Sequence, residues 1–265
     1  MKKIIITGAS SGIGYALAKR LIQKGHKVHN ISRTACKLDD VINHSCDIAA
    51  KSRLQATLDN IISIEKNIDI GIYSAGYSAA MPVELMDESK ARHMWEVNYF
   101  GAAVFCKKLA PSMRGQGHGR IVLVGSRAAE LPLPYMGYYC ATKTALSALA
   151  HAVAQELESF GIKCTLAMPG GTATPFTYNR ETVAADMLPY CDKYNNSIAH
   201  LAQTEQNGMT ADDVARAIIS TLAKSSPPLL LPIGITNKLA AAAAKILPEQ
   251  LLGMMTESIF CQSQK

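Results

Sequence analysis

Tyr139 and Lys143 stand four residues apart in the run Tyr138-Tyr139-Cys140-Ala141-Thr142-Lys143. On a helix this spacing puts both side chains on one face, one turn apart. A free phenol titrates near pH ~10, and a neighbouring ammonium favours its ionised form. At ~4 Å and an effective dielectric of ~20 the attraction is about 4 kcal/mol, or roughly three pKa units. A phenol so placed can give and take a proton near neutral pH. The spacing alone is common on helix surfaces, so its meaning depends on what surrounds it.

A second feature lies at the start of the chain. Thr7-Gly8-Ala9-Ser10-Ser11-Gly12-Ile13-Gly14 falls between the first expected strand and the first expected helix. Glycines there permit positive φ and close approach of backbone to ligand. The helix that follows offers unpaired N–H groups and a positive dipole end to a pyrophosphate. Gly8, Ser10, Ser11, Gly12, Ile13 and Gly14 form the expected cradle. Their spacing is Gly-x-x-x-Gly-x-Gly, not the commoner Gly-x-Gly-x-x-Gly. The second strand then ends at Ile31-Ser32-Arg33-Thr34. A carboxylate at this place would bind the ribose diol of NAD. A guanidinium instead binds a 2′-phosphate bidentately. Arg33 and Thr34 therefore point to NADP(H). Asp47 serves either the adenine amine or the N-cap of the next helix.

These groups need a frame. Short apolar runs at Ile4–Thr7, Lys27–Ser32, Ile68–Ser74, Arg120–Gly125 and Lys163–Met168 alternate with helix-length segments such as Gly14–Lys24 and Ala141–Ser159. This alternation predicts βαβ units, a Rossmann-like doubly wound parallel sheet flanked by helices, in the α/β class. A late strand is expected at Pro227–Leu231. Residues 176–209 break the rhythm. They are polar, carry tyrosines and are expected to be a strand-free lid over the substrate. Residues 236–265 are expected to be a C-terminal helical extension, broken near Pro248. The whole of 1–265 reads as a single domain.

The bulk properties narrow the function. The chain has 265 residues, 48% hydrophobic and 18% charged, with a net charge of +6. Its basic residues never run longer than two, so a nucleic-acid footprint is not expected. Few aromatic residues argue against a stacking platform for single strands. Seven scattered cysteines form no Cys-x-x-Cys pair and suit free thiols in a reducing compartment. No metal-ligand cluster is visible, and no stretch reaches the ~18 apolar residues of a membrane span. A cytoplasmic protein is the expectation.

Taken together the chain resembles the short-chain dehydrogenase/reductase family over roughly residues 2–235. Thr7–Gly14 looks like that family's cofactor motif. Asn98, in Val97-Asn98-Tyr99-Phe100-Gly101, falls where the family keeps its active-site asparagine. Ser126 precedes Tyr139 by thirteen residues, the family's spacing, and Lys143 completes the tetrad. Pro169-Gly170 and Thr174 resemble the segment beside the nicotinamide. There are two departures. Tyr73-Ser74-Ala75-Gly76 stands where Asn-Asn-Ala-Gly is usual, keeping only Ala75 and Gly76. Thr172 replaces the usual branched aliphatic.

The resemblance implies an NADP(H)-dependent oxidoreductase acting on a small-molecule carbonyl or alcohol. Tyr139 would be the general acid and base, and Ser126 would hold the substrate oxygen. Lys143 would lower the Tyr139 pKa and bind the nicotinamide ribose, while Asn98 would hold a relay water. It also implies a homodimer or homotetramer built through the helices of Asn98 and Tyr139. Phe176, Tyr178, Met187, Leu188, Tyr190 and Tyr194 either line an apolar pocket or pack the lid. Leu131, Pro132, Leu133 and Pro134 offer an opposite wall. An apolar, medium-sized carbonyl substrate is favoured. The rival reading is a catalytically silent NADP-binding sensor or scaffold.

Overall fold

Ile4, Ile5 and Ile6 are all fully buried, which a strand achieves only when both faces of its sheet are covered. Their side chains divide between two cores: Ile5 joins one apolar cluster, Ile4 and Ile6 the other. This is the alternation of a pleated strand between two helix layers. The computed structural model describes residues 1–184 and 189–234, with Leu251 and Met254. Within them β1 (Lys3–Thr7), α1 (Gly12–Gln23), β2 (Lys27–Ser32), β3 (Val41–Ser45), α2 (Lys51–Glu65) and β4 (Ile70–Tyr73) form the first half. Next come α3 (Glu88–Trp95), α4 (Gly101–Gln116), β5 (Gly119–Val124), α5 (Gly137–Leu157) and β6 (Ile162–Pro169). The chain then passes through β7 (Thr172–Ala173), α6 (Pro175–Tyr178), α7 (Cys191–Gln206), β8 (Met209–Thr210), α8 (Ala211–Leu222) and β9 (Leu230–Ile233).

Seven strands lie in the order β3-β2-β1-β4-β5-β6-β9, and each neighbouring pair is parallel. The order reverses direction between β1 and β4. Ligand crevices of open α/β sheets lie at such a switch point, beyond the carboxyl ends of the strands. The turns after β1, β4, β5 and β6 all open there. One apolar core sits under α2, α4 and α5, the other under α1 and α8. A third, smaller cluster joins Ala79, Met81, Met94, Met136, Tyr139 and Leu201 above the sheet.

Several elements differ from the sequence-based expectation. The late strand runs Leu230–Ile233, not Pro227–Leu231. Pro227 and Pro228 lack the N–H a ladder needs, and Pro232 is tolerated because β9 is an edge strand. The 176–209 segment is not a loop but largely helix α7. Tyr194, Ser197 and Leu201 are buried at helical spacing on its inner side. Nor is it strand-free, since Met209 belongs to β8, which pairs with β7. The 236–265 extension lies outside the described residues apart from Leu251 and Met254. No helix among the described residues is long and apolar enough to cross a membrane.

Candidate active site

The cradle is built from close approaches. Gly8 has φ +73°, and a Cβ there would meet Ala75 Cα at 3.0 Å. A Cβ on Gly14 would lie 2.2 Å from the Gly8 carbonyl oxygen, so only glycine lets α1 dock on the turn. Ser11, the N-cap of α1, makes no side-chain capping bond. The first-turn N–H groups are thus left for a ligand. The turn is held from below: Gly8 N–H donates to Ile31 O at 3.0 Å. Ala9 N–H donates to Asn30 Oδ1 at 2.9 Å, and Asn30 in turn bonds Ser32 and Asn43. Asn30 was not singled out in the sequence, because nothing in one strand shows that its amide reaches a turn 21 residues earlier.

One cleft of about 870 Å³ runs from this cradle across the switch point. Its wall includes Gly8, Ser10, Ser11, Gly12, Ile13 and Gly14 at one end, with Arg33, Thr34 and Asp47 beside them. Ala75 and Gly76 follow from the turn after β4, and Pro169, Gly170, Thr172 and Thr174 from beyond β6. Ser126, Tyr139 and Lys143 line the same cleft. Every cofactor candidate read from the sequence therefore meets in one space. A Cβ on Gly12 would touch Thr174 at 3.4 Å, which shows how closely the two ends of the motif set approach. Positive-φ glycines and uncapped helix N–H groups fit the pyrophosphate of a dinucleotide. Asp47 spends one carboxylate oxygen on Ala49 N–H at 3.0 Å, which orders the turn into α2.

Tyr139 and Lys143 sit in the first turns of α5, both buried. The Lys143 ammonium donates to Val124 O at 3.1 Å and lies 5.6 Å from the Tyr139 ring centroid. Burial pulls the Lys143 pKa down to about 8. Burial also pushes the Tyr139 phenol well above its ordinary value, against the opposing hydrogen bond to Ser126. This reverses the expected direction for Tyr139. The ammonium is bonded elsewhere, so desolvation of the phenol outweighs it. Ser126 also accepts from Ala128 N–H at 3.1 Å, which fixes its rotamer.

Asn98 does not line the cleft. It is fully buried in a π-helical turn, Glu96–Phe100, between α3 and α4. Its amide accepts from Tyr77 N–H and donates to Tyr77 O, both at 2.9 Å, and donates to Thr142 Oγ1 at 3.0 Å. Thr142 lies on α5 between Tyr139 and Lys143, so Asn98 ties the β4 turn to the helix of that pair. Tyr73, the departure from the family pattern, donates its hydroxyl to Val97 O in the same turn. Gly101 makes room for it: a Cβ there would lie 2.3 Å from the Tyr73 hydroxyl.

The part of the cleft around Tyr139 forms a chamber. Leu131, Leu133, Met136, Phe176 and Leu201 supply apolar wall. Pro132 and Pro134 are not part of it. Of the lid aromatics only Phe176 faces the cleft, its ring 6.0 Å from that of Tyr139. Tyr178 is exposed, and Tyr190 bonds Glu84 at the surface. Tyr194 is buried, donating to Ala80 O at 2.9 Å and accepting from Val183 N–H at 3.2 Å. Met187 and Leu188 lie outside the described residues. Unforeseen polar groups also line the chamber, among them Asn179, Glu181, Thr204 and Glu205. No cluster of His, Cys, Asp or Glu fit to hold a metal occurs among the described residues.

The sequence pattern of the short chain dehydrogenase family matches residues 2–184. A 3-ketodihydrosphingosine reductase from Bacteroides thetaiotaomicron is 30% identical over 94% of both chains. Among solved structures, a short chain dehydrogenase from Burkholderia cenocepacia in complex with NADP superposes with TM-score 0.76. It is 21% identical and the match covers 97% of this chain and 99% of that one. A short chain dehydrogenase/reductase from Burkholderia phymatum in complex with NAD gives TM-score 0.79 at 23% identity, over 96% and 95% of the two chains. At these identities the two structures establish the shared fold.

Proposed function

The chain belongs to the short-chain dehydrogenase family, and on that premise we propose that it is an NADP(H)-dependent oxidoreductase interconverting a ketone or aldehyde and an alcohol. The observation that carries the reading is the meeting of Ser126, Tyr139 and Lys143 with the glycine cradle in one cleft. Bound there, the dinucleotide supplies the hydride.

In reduction Tyr139 Oη gives its proton to the carbonyl oxygen, and in oxidation it takes the proton back. Ser126 Oγ donates to the same oxygen and stabilises the developing charge. Lys143, its ammonium 5.6 Å from the Tyr139 ring centroid, holds the nicotinamide ribose. Asn98 works at one remove, since both its amide hydrogens are taken by Tyr77 and Thr142. It holds α5 against the β4 turn. Arg33, exposed at the end of β2, is the group for a 2′-phosphate and favours NADP(H) over NAD(H).

The relative named as a 3-ketodihydrosphingosine reductase supports a keto substrate and the reductive direction. The chamber supports a substrate with an apolar part against Leu131, Leu133 and Leu201. Buried free thiols fit the cytoplasm, and a homodimer or homotetramer through α4 and α5 is the assembly carried over from the family. Tyr139→Phe tests the chemistry. NADPH binding by fluorescence should persist while ketone reduction falls about a thousandfold. Undiminished turnover would remove Tyr139 from the reaction. Nucleotide binding with no turnover by the parent protein on any carbonyl would favour the silent scaffold.

A further inference from the structure

Glu205 stands in the last turn of α7 and lines the chamber beside Tyr139. Its carboxylate is aimed by two groups. Thr177 Oγ1 donates to Oε2 at 2.6 Å, and the Arg180 guanidinium donates to Oε1. The side chains are 15% exposed for Glu205 and 2% for Arg180, and Arg180 Nε has no partner. A buried ion pair is a poor way to stabilise a fold, because desolvation cancels most of the attraction. Apolar residues would close α6 against α7 at least as well. A carboxylate accepts about four hydrogen bonds, and Thr177 and Arg180 supply two of them. Glu205 therefore keeps acceptor capacity on the wall of the chamber. The other carboxylate on that wall, Glu181, is 40% exposed and paired with Lys90, where solvent weakens its pull. Both charges of the pair reach the Tyr139 phenol, Glu205 pushing its pKa up and Arg180 pulling it down.

We propose that Glu205 selects carbonyl substrates that carry a hydrogen-bond donor, an ammonium or a hydroxyl, close to the carbonyl. Arg180 and Thr177 are its positioning residues. This deepens, and rests on, the oxidoreductase reading above. The substrate then lies with its carbonyl at Ser126 and Tyr139, its donor at Glu205 and its apolar remainder against Leu131 and Leu133.

The test uses three ketones of equal chain length: plain, α-hydroxy and α-amino, each assayed by NADPH absorbance. The parent protein should prefer a donor-bearing ketone at least tenfold in kcat/KM, and whichever of the two leads identifies the donor. Glu205→Gln keeps an acceptor oxygen and loses the charge. It should lower the α-amino ketone at least tenfold, mainly through KM, and the α-hydroxy ketone less. The plain ketone sets the baseline for any change common to all three, and the losses on the donor-bearing ketones are read relative to it. A parent protein without preference, or an equal loss on all three ketones, overturns the proposal and leaves Glu205 as a clasp between helices. Should Glu205→Gln fail to fold, Glu205→Asp keeps the ion pair but withdraws the carboxylate by one methylene, and must still erode the preference. If none of the ketones is reduced with either nucleotide, the oxidoreductase reading fails on its own. Calorimetric titration of the same three compounds into the NADP+-loaded protein then decides the proposal: tighter binding of a donor-bearing compound sustains it, and equal binding overturns it.

Discussion

Lys143 carries its charge into a place that resists it. Its ordinary pKa of 10.5 falls to about 8 through burial. Between those values the unfolded chain binds the proton that the folded chain has released, so stability rises with pH across that window. The full effect is about 3 kcal/mol. Urea unfolding at pH 7.5 and 10.5 should show Lys143→Met lacking that part of the parent's gain. Parallel pH profiles would remove the buried ammonium from the account. The four-residue spacing of Tyr139 and Lys143 was legible because a helix converts sequence interval into facing side chains. Their electrostatics were not. The ammonium is held by Val124 O on another strand, and the phenol is desolvated by residues far away in the chain. Glu205 and Arg180 were invisible for the same reason, since 25 residues separate two groups that meet only when α7 folds back on α6.

Among the elements, the π turn between α3 and α4 ties the turn after β4 to the helix of Tyr139 and Lys143. It presents Asn98 inward and offers Val97 O to Tyr73. Such turns recur at functional sites because they displace one residue from the helical register. Gly101 and Tyr73 are steric partners here, with 2.3 Å available to a new Cβ. Gly101→Ala should cost about 1–3 kcal/mol through overpacking. Tyr73→Phe should cost about 1 kcal/mol for the lost hydrogen bond. The double variant should be more stable than the sum by about 1 kcal/mol, because the phenol oxygen is what the methyl strikes. Additive losses in a denaturant cycle would show that Ile48, at 2.7 Å from the same Cβ, sets the limit instead. From sequence the helix near Asn98 could be expected, but not its π register, which depends on tertiary bonds to Tyr77 and Thr142. The 176–209 segment misled in a related way. Its polar surface hid the burial of Tyr194, Ser197 and Leu201 on one helical side.

Across the whole molecule, the sheet order places the cleft between halves that are far apart in sequence. A ligand there touches turns after β1, β2, β4, β5 and β6 at once. Nucleotide binding should therefore stabilise the entire fold cooperatively, by about 2.7 kcal/mol at a hundredfold excess over Kd. For a chain of this size the melting temperature should rise on the order of 5 °C. Arg33→Asp should shrink the rise given by NADP+ and leave that given by NAD+. An unchanged ratio would detach Arg33 from cofactor choice. The parallel sheet was readable from the alternation of apolar runs and helices, since few other arrangements cover a fully apolar strand on both faces.

One side chain links this architecture to time. The Tyr194 hydroxyl bonds both Ala80 O and Val183 N–H, fastening two segments that also pair through Ala80 N–H to Glu181 O at 2.8 Å. The Val183 amide can thus exchange with solvent deuterium only in moments when that phenol is displaced. Its exchange rate becomes a clock for every parting of these two paired segments. Tyr194→Phe should speed that clock while leaving amides in β1 and β4 at their original pace.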